Sequence, residues 1–253
     1  MLATQLTAVE IIGHRGAAYD APENTLTSMK AAWAQGADAV ELDLWLSKDG
    51  KLVVMHDGDT KRFGGRTNKI ATQTWAELQG LDVGAWKNPK FKGERIPTLE
   101  SILATIPSGK RAVLEIKCGP EILSEFVRVV HASGRKPAEL AVISFNFETL
   151  RESKVKLPDI QHYFLSDYKK DAKTGLMPEL APLVAQAKSA KFDGLDLQFK
   201  WPIDKAFMAD VKRARLKLVV WTVNDPVVAR RLTEAGVDGI TTDRPGWLRE
   251  QLK

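Results

Sequence analysis

Short apolar runs alternate with amphipathic stretches along most of this chain. The first apolar run, residues 9–12, indicates a strand, and Asn24 or Thr25 can cap the helix that follows it. Further strands are predicted at residues 39–44, 111–116, 140–144, 160–165, 194–197, 216–221 and 239–242. Helices are predicted at residues 97–103, 121–131, 147–156, 180–189, 203–214, 226–235 and 245–252. About eight strand–helix units predict an α/β fold, the (β/α)8 TIM barrel.

Residues 45–96 break this rhythm. The run from Ser47 to Gly50 is a turn signal that should fold residues 51–55 back beside the preceding strand. The rest of the segment is rich in Gly, Lys, Asp and Trp, and we interpret it as an insertion between the second strand and the second helix. Its aromatic residues are expected to build a small core: Phe63, Trp75, Trp86 and Phe91. The alternative for Trp75 and Trp86 is that they line a ligand cleft. Because no linker is visible, residues 1–253 are expected to form one domain that carries this insertion.

Composition narrows the class of protein. The chain has 253 residues, of which 44% are hydrophobic, so it can bury a large core. A single cysteine, Cys118, excludes an intramolecular disulfide framework and suits a reducing compartment. Residues 1–9 lack a basic residue and a long apolar core, so we expect no secretory signal and a cytoplasmic location. The net charge of +5 is scattered among acidic residues, which does not favour a nucleic-acid partner but can attract a small anionic substrate.

Ionisable residues gather where the predicted strands end. In a TIM barrel these carboxyl ends face the active site. His14 follows the first strand, and Glu41 and Asp43 end the second with a spacing that puts both on one face. Glu115 and Lys117 share a face at the end of the third strand for the same reason. Buried acidic groups are unfavourable unless they are paired or bind a metal, so this set indicates a functional site.

The remaining candidates complete a set of groups for one kind of reaction. His56 ends another apolar run, Arg15 follows His14, Trp221 ends a late strand and Asp243 follows the last one. Two imidazoles can shuttle protons near neutral pH. Three carboxylates can hold a hard divalent cation, and Arg15 and Lys117 can neutralise a phosphate. Phosphodiester hydrolysis is one of the few reactions that need all three kinds of group.

Other polar residues admit a structural interpretation. His131 at a helix end and His162 within a strand are expected to be structural. Glu23 lies close to Arg15 in sequence and can orient it. Asn24 either contacts the site or only caps the helix, because capping alone explains its presence. Three residues are therefore candidates for orienting the side chains of the site without contacting the substrate: Glu23, Asn24 and Asp243.

The combined motifs resemble the glycerophosphodiester phosphodiesterase family, in its bacterial, cytoplasmic type. They are His14-Arg15-Gly16, Pro22-Glu23-Asn24-Thr25, Glu41-Leu42-Asp43, His56-Asp57, Glu115-Ile116-Lys117, Trp221-Thr222-Val223-Asn224 and Thr242-Asp243. The resemblance covers nearly the whole chain in the family's order, and the insertion after the second strand is similar to the family's own. No departure is found at the catalytic positions.

The resemblance implies a metal-dependent enzyme that cleaves a small-molecule glycerophosphodiester, such as glycerophosphocholine, to sn-glycerol 3-phosphate and an alcohol. It also implies roles for individual residues. The metal ligands for Mg²⁺ or Ca²⁺ would be Glu41, Asp43 and Glu115, and the general acid–base pair would be His14 and His56. The phosphate contacts would be Arg15 and Lys117, with Trp221 as an aromatic wall beside the glycerol.

Two other functions remain open at this stage. A phospholipase D- or C-like barrel acting on lysophospholipids would use similar groups but should carry an amphipathic segment for the bilayer. The polar insertion does not resemble such a segment, so no stable membrane association is expected. A non-catalytic phosphate-binding barrel would have no need for two histidines beside three carboxylates. The alcohol, the choice between Mg²⁺ and Ca²⁺, the role of each histidine, a cyclic phosphate intermediate and the oligomeric state stay open.

Overall fold

The computed structural model describes residues 9–64 and 68–253, and eight parallel strands in this part close into a barrel. The strands are β1 (Glu10–Gly13), β2 (Ala39–Leu46), β3 (Leu52–Val54), β4 (Arg111–Ile116), β5 (Leu140–Ser144), β6 (Gln161–Ser166), β7 (Gly194–Gln198), β8 (Lys217–Trp221) and β9 (Gly239–Thr242). Closure follows because β1 pairs with β2 on one side and with β9 on the other. We expected no secretory signal in residues 1–9. Residues 1–8 lie outside the part of the chain that the structure describes.

Helices connect the barrel strands. They are α1 (Leu26–Ala34), α2 (Lys61–Gly64), α3 (Trp75–Gln79), α4 (Leu99–Leu103), α5 (Leu123–Ala132), α6 (Phe147–Lys156), α7 (Leu180–Ser189), α8 (Lys205–Arg213), α9 (Pro226–Ala235) and α10 (Pro245–Gln251). Short 3₁₀ turns lie at Ile70–Thr72, Pro89–Phe91, Pro120–Ile122 and Pro137–Glu139. The predicted (β/α)8 barrel is thereby confirmed. α4 begins two residues later than predicted because the Thr98 side chain caps it by accepting a hydrogen bond from Ser101 N.

The strands bury both of their faces, and the two faces meet different surroundings. Along β2, the outward side chains Val40, Leu42 and Leu44 belong to the main core, which includes buried residues of the surrounding helices. The inward face fills the barrel with a second apolar cluster: Ile12, Ala39, Val113, Ala141, Ile143, Tyr163, Leu165 and Val219. Because side chains alternate along a strand, Glu41 and Asp43 share the inward face with Ala39. The acidic residues therefore project into the barrel.

The segment after β2 begins with the predicted hairpin. β3 pairs antiparallel with β2, with Trp45 opposite Val53, so Trp45 and Leu46 belong to the strand rather than to the insertion. A separate apolar cluster then forms from Val53, Met55, Ile70, Leu78, Val83 and Ile96. The single domain with an insertion at about 45–96 stays a prediction. Across residues 9–64 and 68–253, every helix is too short or too polar to cross a bilayer.

The aromatic residues of the insertion follow the core prediction only in part. Phe63 and Trp75 pack against the small cluster, as expected. Trp86 does not, and it stays 44% exposed. Its ring instead lies 6.4 Å from the Phe63 ring and under the Arg62 guanidinium at 4.9 Å. The prediction was also wrong for Phe91, which is only partly buried and lies under Lys90 Nζ at 4.8 Å. A cation over the ring face allows an aromatic side chain to remain at the surface.

Candidate active site

Three buried carboxylates meet at the carboxyl end of the barrel. β2 supplies Glu41 and Asp43, and the register places Asp43 directly beside Glu115 of β4. One oxygen from each side chain lies within 4.8 Å of those of the other two. The three residues are between 1% and 8% exposed. The three predicted metal ligands therefore come together in an arrangement that could hold a metal ion.

The electrostatics of these carboxylates fit a divalent cation. Burial raises the pKa of Glu41 well above its ordinary value, and the charges of Asp43 and Glu115 raise it further. Burial and Asp43 raise the pKa of Glu115 to about 8, although Lys117 opposes them. Burial also raises the pKa of Asp43, but Arg15 and Lys117 outweigh it and hold that pKa below its usual range. Mutually repelling buried oxygens are the donor set that a hard divalent cation satisfies.

Two cationic side chains lie against the same carboxylates. Arg15 Nε is 3.4 Å from Asp43 Oδ2, and Lys117 Nζ is 3.3 Å from Asp43 Oδ1. Lys117 Nζ also lies 2.9 Å from Glu115 Oε1. Both side chains line the cavity at the barrel mouth. An anionic ligand placed there would meet two fixed positive charges beside the carboxylate cluster.

The motif His14-Arg15-Gly16 adopts a tight turn that the sequence requires. Arg15 and Gly16 both have positive φ angles, of 52° and 85°. A Cβ atom at Gly16 would overlap Ser28, so only glycine fits there. Ser28 Oγ donates a hydrogen bond to the Arg15 carbonyl, and Arg15 N donates one to Glu41 Oε2 at 3.0 Å. The turn therefore ties the start of α1 to the carboxylate cluster.

In the segment before α1, one residue caps the helix and a different residue contacts the candidate site. Thr25 is the cap, because its side chain accepts from Ser28 N at 3.1 Å. Asn24 instead donates from Nδ2 to Asp43 Oδ2 at 2.8 Å, so it contacts the candidate site. Glu23 accepts from Arg15 Nη1 at 3.1 Å, as its sequence position suggested. Both residues orient groups that face the cavity.

His14 is held by an acidic partner at the far end of the chain. Its Nδ1 lies 2.6 Å from Asp243 Oδ1, and Asn224 Nδ2 donates to Asp243 Oδ2 at 2.6 Å. Burial raises the pKa of Asp243, but the hydrogen bond and the charge of His14 outweigh it and hold the pKa below its ordinary value. An ionised Asp243 favours the tautomer of His14 in which Nδ1 donates the hydrogen bond.

His56 is held by its sequence neighbour and, through it, by the insertion. His56 Nδ1 lies 2.9 Å from Asp57 Oδ1, and Arg62 Nε lies 3.1 Å from Asp57 Oδ2. Arg62 Nη2 also donates to Glu23 Oε1 at 2.6 Å. Burial lowers the pKa of His56, and this effect exceeds the opposing influence of Asp43. Arg62 thus connects the carboxylate behind His56 with the carboxylate behind Arg15.

These groups surround one cavity of about 260 Å³. Its lining consists of His14, Arg15, Glu41, His56, Glu115, Lys117, Ile143, Phe145, Leu165, Asp167, Asp196, Trp221 and Thr241. The ring of Trp221 packs edge-to-face with Phe145, with 5.7 Å between the centroids. A larger groove of about 950 Å³ lies elsewhere, between α1 and the insertion beside Thr27 and Glu94. The small cavity is the candidate active site, since both His14 and His56 line it.

Sequence reasoning missed several residues that the structure places at the site. Asp57 and Asn224 lay within motifs that were noted, but neither had a role assigned. Arg62 and Phe145 gave no signal, because their contacts depend on the fold. Asp196 did give one, since it is a lone acid at an inward position of the apolar strand β7. A polar residue at such a position requires a partner or a ligand.

The two other histidines lie away from the cavity. His162 is fully buried, with Nδ1 2.9 Å from the Ile160 carbonyl oxygen and Nε2 2.9 Å from Ser153 Oγ. Burial lowers its pKa to about 4. His131 is exposed near the end of α5. These positions agree with the structural roles predicted for both.

His162 should make the folded protein sensitive to moderate acid. Its pKa is about 4 when folded, against 6.5 in an unfolded chain, so the unfolded state binds more protons between these values. The stability contributed by the neutral ring is therefore complete above pH 6.5 and is lost as the pH falls toward 4, by about 3 kcal/mol. Urea unfolding of His162→Gln should show a shallower loss over this window than the unsubstituted protein. His131→Gln is the control, and an unchanged slope in His162→Gln would contradict the assignment.

Known proteins share both the sequence pattern and the fold. Residues 14–247 match the model of the Glycerophosphoryl diester phosphodiesterase family. A glycerophosphodiester phosphodiesterase of Caldanaerobacter subterraneus is 34% identical over 244 residues, which cover 93% of this chain and 94% of that protein. Another, from Bacillus subtilis, is 28% identical over 251 residues, which cover 92% of this chain and 83% of that protein.

A solved structure extends the likeness to three dimensions. The phosphodiesterase of Oleispira antarctica, in complex with the product sn-glycerol-3-phosphate, has a TM-score of 0.86 and 29% identity, with 96% of each chain covered. The family match includes every residue that sequence reasoning assigned to the site. The chain therefore belongs to the glycerophosphoryl diester phosphodiesterase family, whose enzymes hydrolyse glycerophosphodiesters.

Proposed function

We propose that this enzyme hydrolyses small glycerophosphodiesters to sn-glycerol 3-phosphate and an alcohol, by general acid–base catalysis beside a site for Mg²⁺ or Ca²⁺. The observation that carries the proposal is one cavity lined by two histidines, two cationic side chains, and Glu41 and Glu115 of the carboxylate cluster. The product is proposed because a structural relative is described as bound to sn-glycerol-3-phosphate. The cavity volume of about 260 Å³ suits a ligand of this size.

The cation would be held by Glu41, Asp43 and Glu115. These residues offer only oxygen ligands, which favours Mg²⁺ or Ca²⁺ over a dedicated zinc site. A bound divalent cation supplies charge that polarises a phosphoryl oxygen and orients the attacking group. Asn24 fixes one oxygen of Asp43 by a hydrogen bond, so it holds this carboxylate in place.

The phosphate would be bound by Arg15 and Lys117. Both already lie beside Asp43, so an incoming phosphate does not require them to move far. Glu23 fixes the Arg15 guanidinium from behind by accepting a hydrogen bond. A preorganised pair of positive charges stabilises the negative charge that develops on the phosphoryl oxygens.

His14 and His56 would move the protons. One accepts a proton from the attacking hydroxyl or water, and the other donates a proton to the leaving alkoxide. Asp243 fixes the ring of His14, and Asp57 fixes the ring of His56, each through Nδ1. In both rings this arrangement leaves Nε2 for exchange with the substrate. Trp221, packed on Phe145, would form the wall beside the glycerol.

One observation favours a second candidate, the hydrolysis of lysophospholipids. Tyr19, Trp86 and Phe145 are exposed by 44–56%, and Phe145 lines the cavity. However, the Arg244 guanidinium lies 4.1 Å from the Tyr19 ring, and that of Arg62 lies 4.9 Å from the Trp86 ring. The Tyr19 and Trp86 rings pack under cations, and Phe145 packs on Trp221, so the three rings offer no continuous apolar face to a bilayer. We therefore retain the soluble diester as the substrate and propose no stable membrane association.

The test compares kcat/KM for glycerophosphoethanolamine with kcat/KM for the matching lysophospholipid. We expect a preference of about tenfold or more for the deacylated substrate, because the exposed rings do not form a continuous apolar surface on which an acyl chain would be buried. Co-sedimentation with anionic vesicles should leave the enzyme in the supernatant. His56→Ala serves as the control for contaminating hydrolases. A preference for the acylated substrate together with vesicle binding would favour the lipid hydrolase.

The cellular setting completes the proposal. A cytoplasmic location is supported by the lone cysteine, Cys118, whose thiol has its pKa raised to about 11 by burial and by Glu121. Such a thiol is unreactive at neutral pH, so it suggests no redox role. The dispersed positive charge supports a small anionic substrate rather than a nucleic acid.

A further inference from the structure

Asp196 is a buried acid that the proposed mechanism does not use. It lies at an inward position of β7, between Leu195 and Leu197, which face the main core. The residue is 2% exposed, yet it lines the cavity that holds His14 and His56. Its Oδ1 atom is buried without a hydrogen-bond partner among the described residues. A native protein seldom leaves such an atom unsatisfied unless a ligand or water completes it.

The surroundings of Asp196 define the partner that it can accept. Burial raises its pKa well above the ordinary value, and the nearby charge of Glu115 raises it further. Burial therefore disfavours the charged form of the side chain, and the protonated form offers one O–H donor and an acceptor oxygen. It lies outside the group of carboxylates whose oxygens approach one another within 4.8 Å. A neutral group that both donates and accepts matches a hydroxyl better than a metal ion.

Asp196 also occupies the apolar side of the cavity. Its neighbours in the sheet are Leu165 and Val219, and Ile143 completes this side of the lining. Trp221 Nε1 donates a hydrogen bond to the backbone carbonyl of Asp196 at 3.2 Å, so the indole ring is anchored on the same residue. Trp221 and Asp196 line the same cavity, so a ligand that packs against the Trp221 ring shares this cavity with the Asp196 side chain.

We propose that Asp196 is a specificity-determining residue that forms a hydrogen bond with a hydroxyl of the glycerol moiety. This inference rests on the proposed function, in which the phosphate lies by Arg15 and Lys117 and the glycerol lies by Trp221. The hydroxyl would satisfy the Oδ1 atom, and a substrate without it would leave the acid unpaired in an apolar wall. Leaving a buried polar group unpaired is the strongest way for a site to reject an analogue.

The experiment measures binding by calorimetry in the presence of Mg²⁺ or Ca²⁺. The ligands are sn-glycerol 3-phosphate and propyl phosphate, which has the same carbon chain but no hydroxyl. The unsubstituted protein should prefer sn-glycerol 3-phosphate by about tenfold or more. Asp196→Leu should lose this preference and bind propyl phosphate about as well as before. Asp196→Asn, whose amide still donates and accepts, should keep most of the preference.

Three outcomes would overturn the inference. One is an unchanged preference in Asp196→Leu, and another is an equal loss for both phosphates, which would indicate a collapsed cavity. The third is that the unsubstituted protein prefers sn-glycerol 3-phosphate over propyl phosphate by less than about twofold. This result would overturn the inference even if Asp196→Leu fails to fold. Turnover of glycerophosphodiesters is measured separately. Absent turnover with an Asp196-dependent preference rejects the proposed function, whereas normal turnover with no such preference rejects only the hydroxyl contact.

Discussion

Replacing His56 with alanine is expected to lower kcat by about 10²-fold or more, and replacing His14 is expected to do the same. The reason is that both ends of the displacement need a proton transfer at neutral pH. Each ring is fixed through Nδ1 by a carboxylate, Asp243 for His14 and Asp57 for His56. The measurement is steady-state turnover of glycerophosphoethanolamine at saturating substrate and cation.

The loss should be separable from unfolding. The side chains of His14 and His56 are 18% and 35% exposed, so their removal leaves no large cavity in the core. Asp57→Asn and Asp243→Asn should retain part of the activity, because the ring remains and only its orientation and basicity change. Near-native turnover in His56→Ala would place the proton chemistry on other residues.

His131 and His162 supply the controls for this prediction. His131→Ala should leave kcat within about twofold, because the residue is an exposed surface position. His162→Ala should lower stability, because it removes the partner of Ser153 and leaves a buried cavity. If His162→Ala lowered kcat as strongly as His56→Ala without a loss of folded protein, the division between catalytic and structural histidines would be wrong.

The first residue of a helix was predictable where a capping residue directly precedes it in the sequence. α6 and α9 begin where they were predicted, because Asn146 accepts from Thr149 N and Asp225 accepts from Val227 N before Pro226. The end of β2 was placed two residues early. Pairing with β3 extends the strand through Leu46, and this pairing depends on a neighbouring strand rather than on local pattern.

The residues of the candidate site were predictable because they follow strand ends, and barrel geometry brings such ends together. Glu23, Asn24 and Asp243 were also named as supporting residues, but the pairs that they form were not predictable in the same way. Asn224 and Asp243 lie 19 positions apart, and Arg62 and Glu23 lie 39 apart. Their contacts depend on loop conformations, which the pattern of apolar and polar residues does not predict. Asp196 differs, because the sequence shows it as a lone acid in an apolar strand. Only the structure shows that it lines the cavity.

Removing divalent cations with excess chelator is expected to abolish turnover, and adding Mg²⁺ or Ca²⁺ is expected to restore it. The expectation follows from the carboxylate cluster, in which burial and mutual repulsion raise the pKa values of Glu41 and Glu115. Without a bound cation, this cluster opposes folding. The protein should therefore melt at a higher temperature when the cation is present, by an amount that grows with cation concentration.

The Glu41→Gln variant tests whether Glu41 is a metal ligand or only a structural acid. If Glu41 is a ligand, the substitution should have opposite effects on melting in the cation-free and the cation-bound protein. It replaces a buried ionisable group, which its surroundings destabilise in the charged form, with a neutral amide, so without cation the variant should melt at or above the temperature of the unsubstituted protein. It also removes a ligand, so the cation should raise its melting temperature less and bind it about tenfold or more weakly. Glu179→Gln, an exposed position with no side-chain capping bond, is the matched control. Full activity in excess chelator, or an unchanged cation-dependent melting shift in Glu41→Gln, would rule out Glu41 as a ligand.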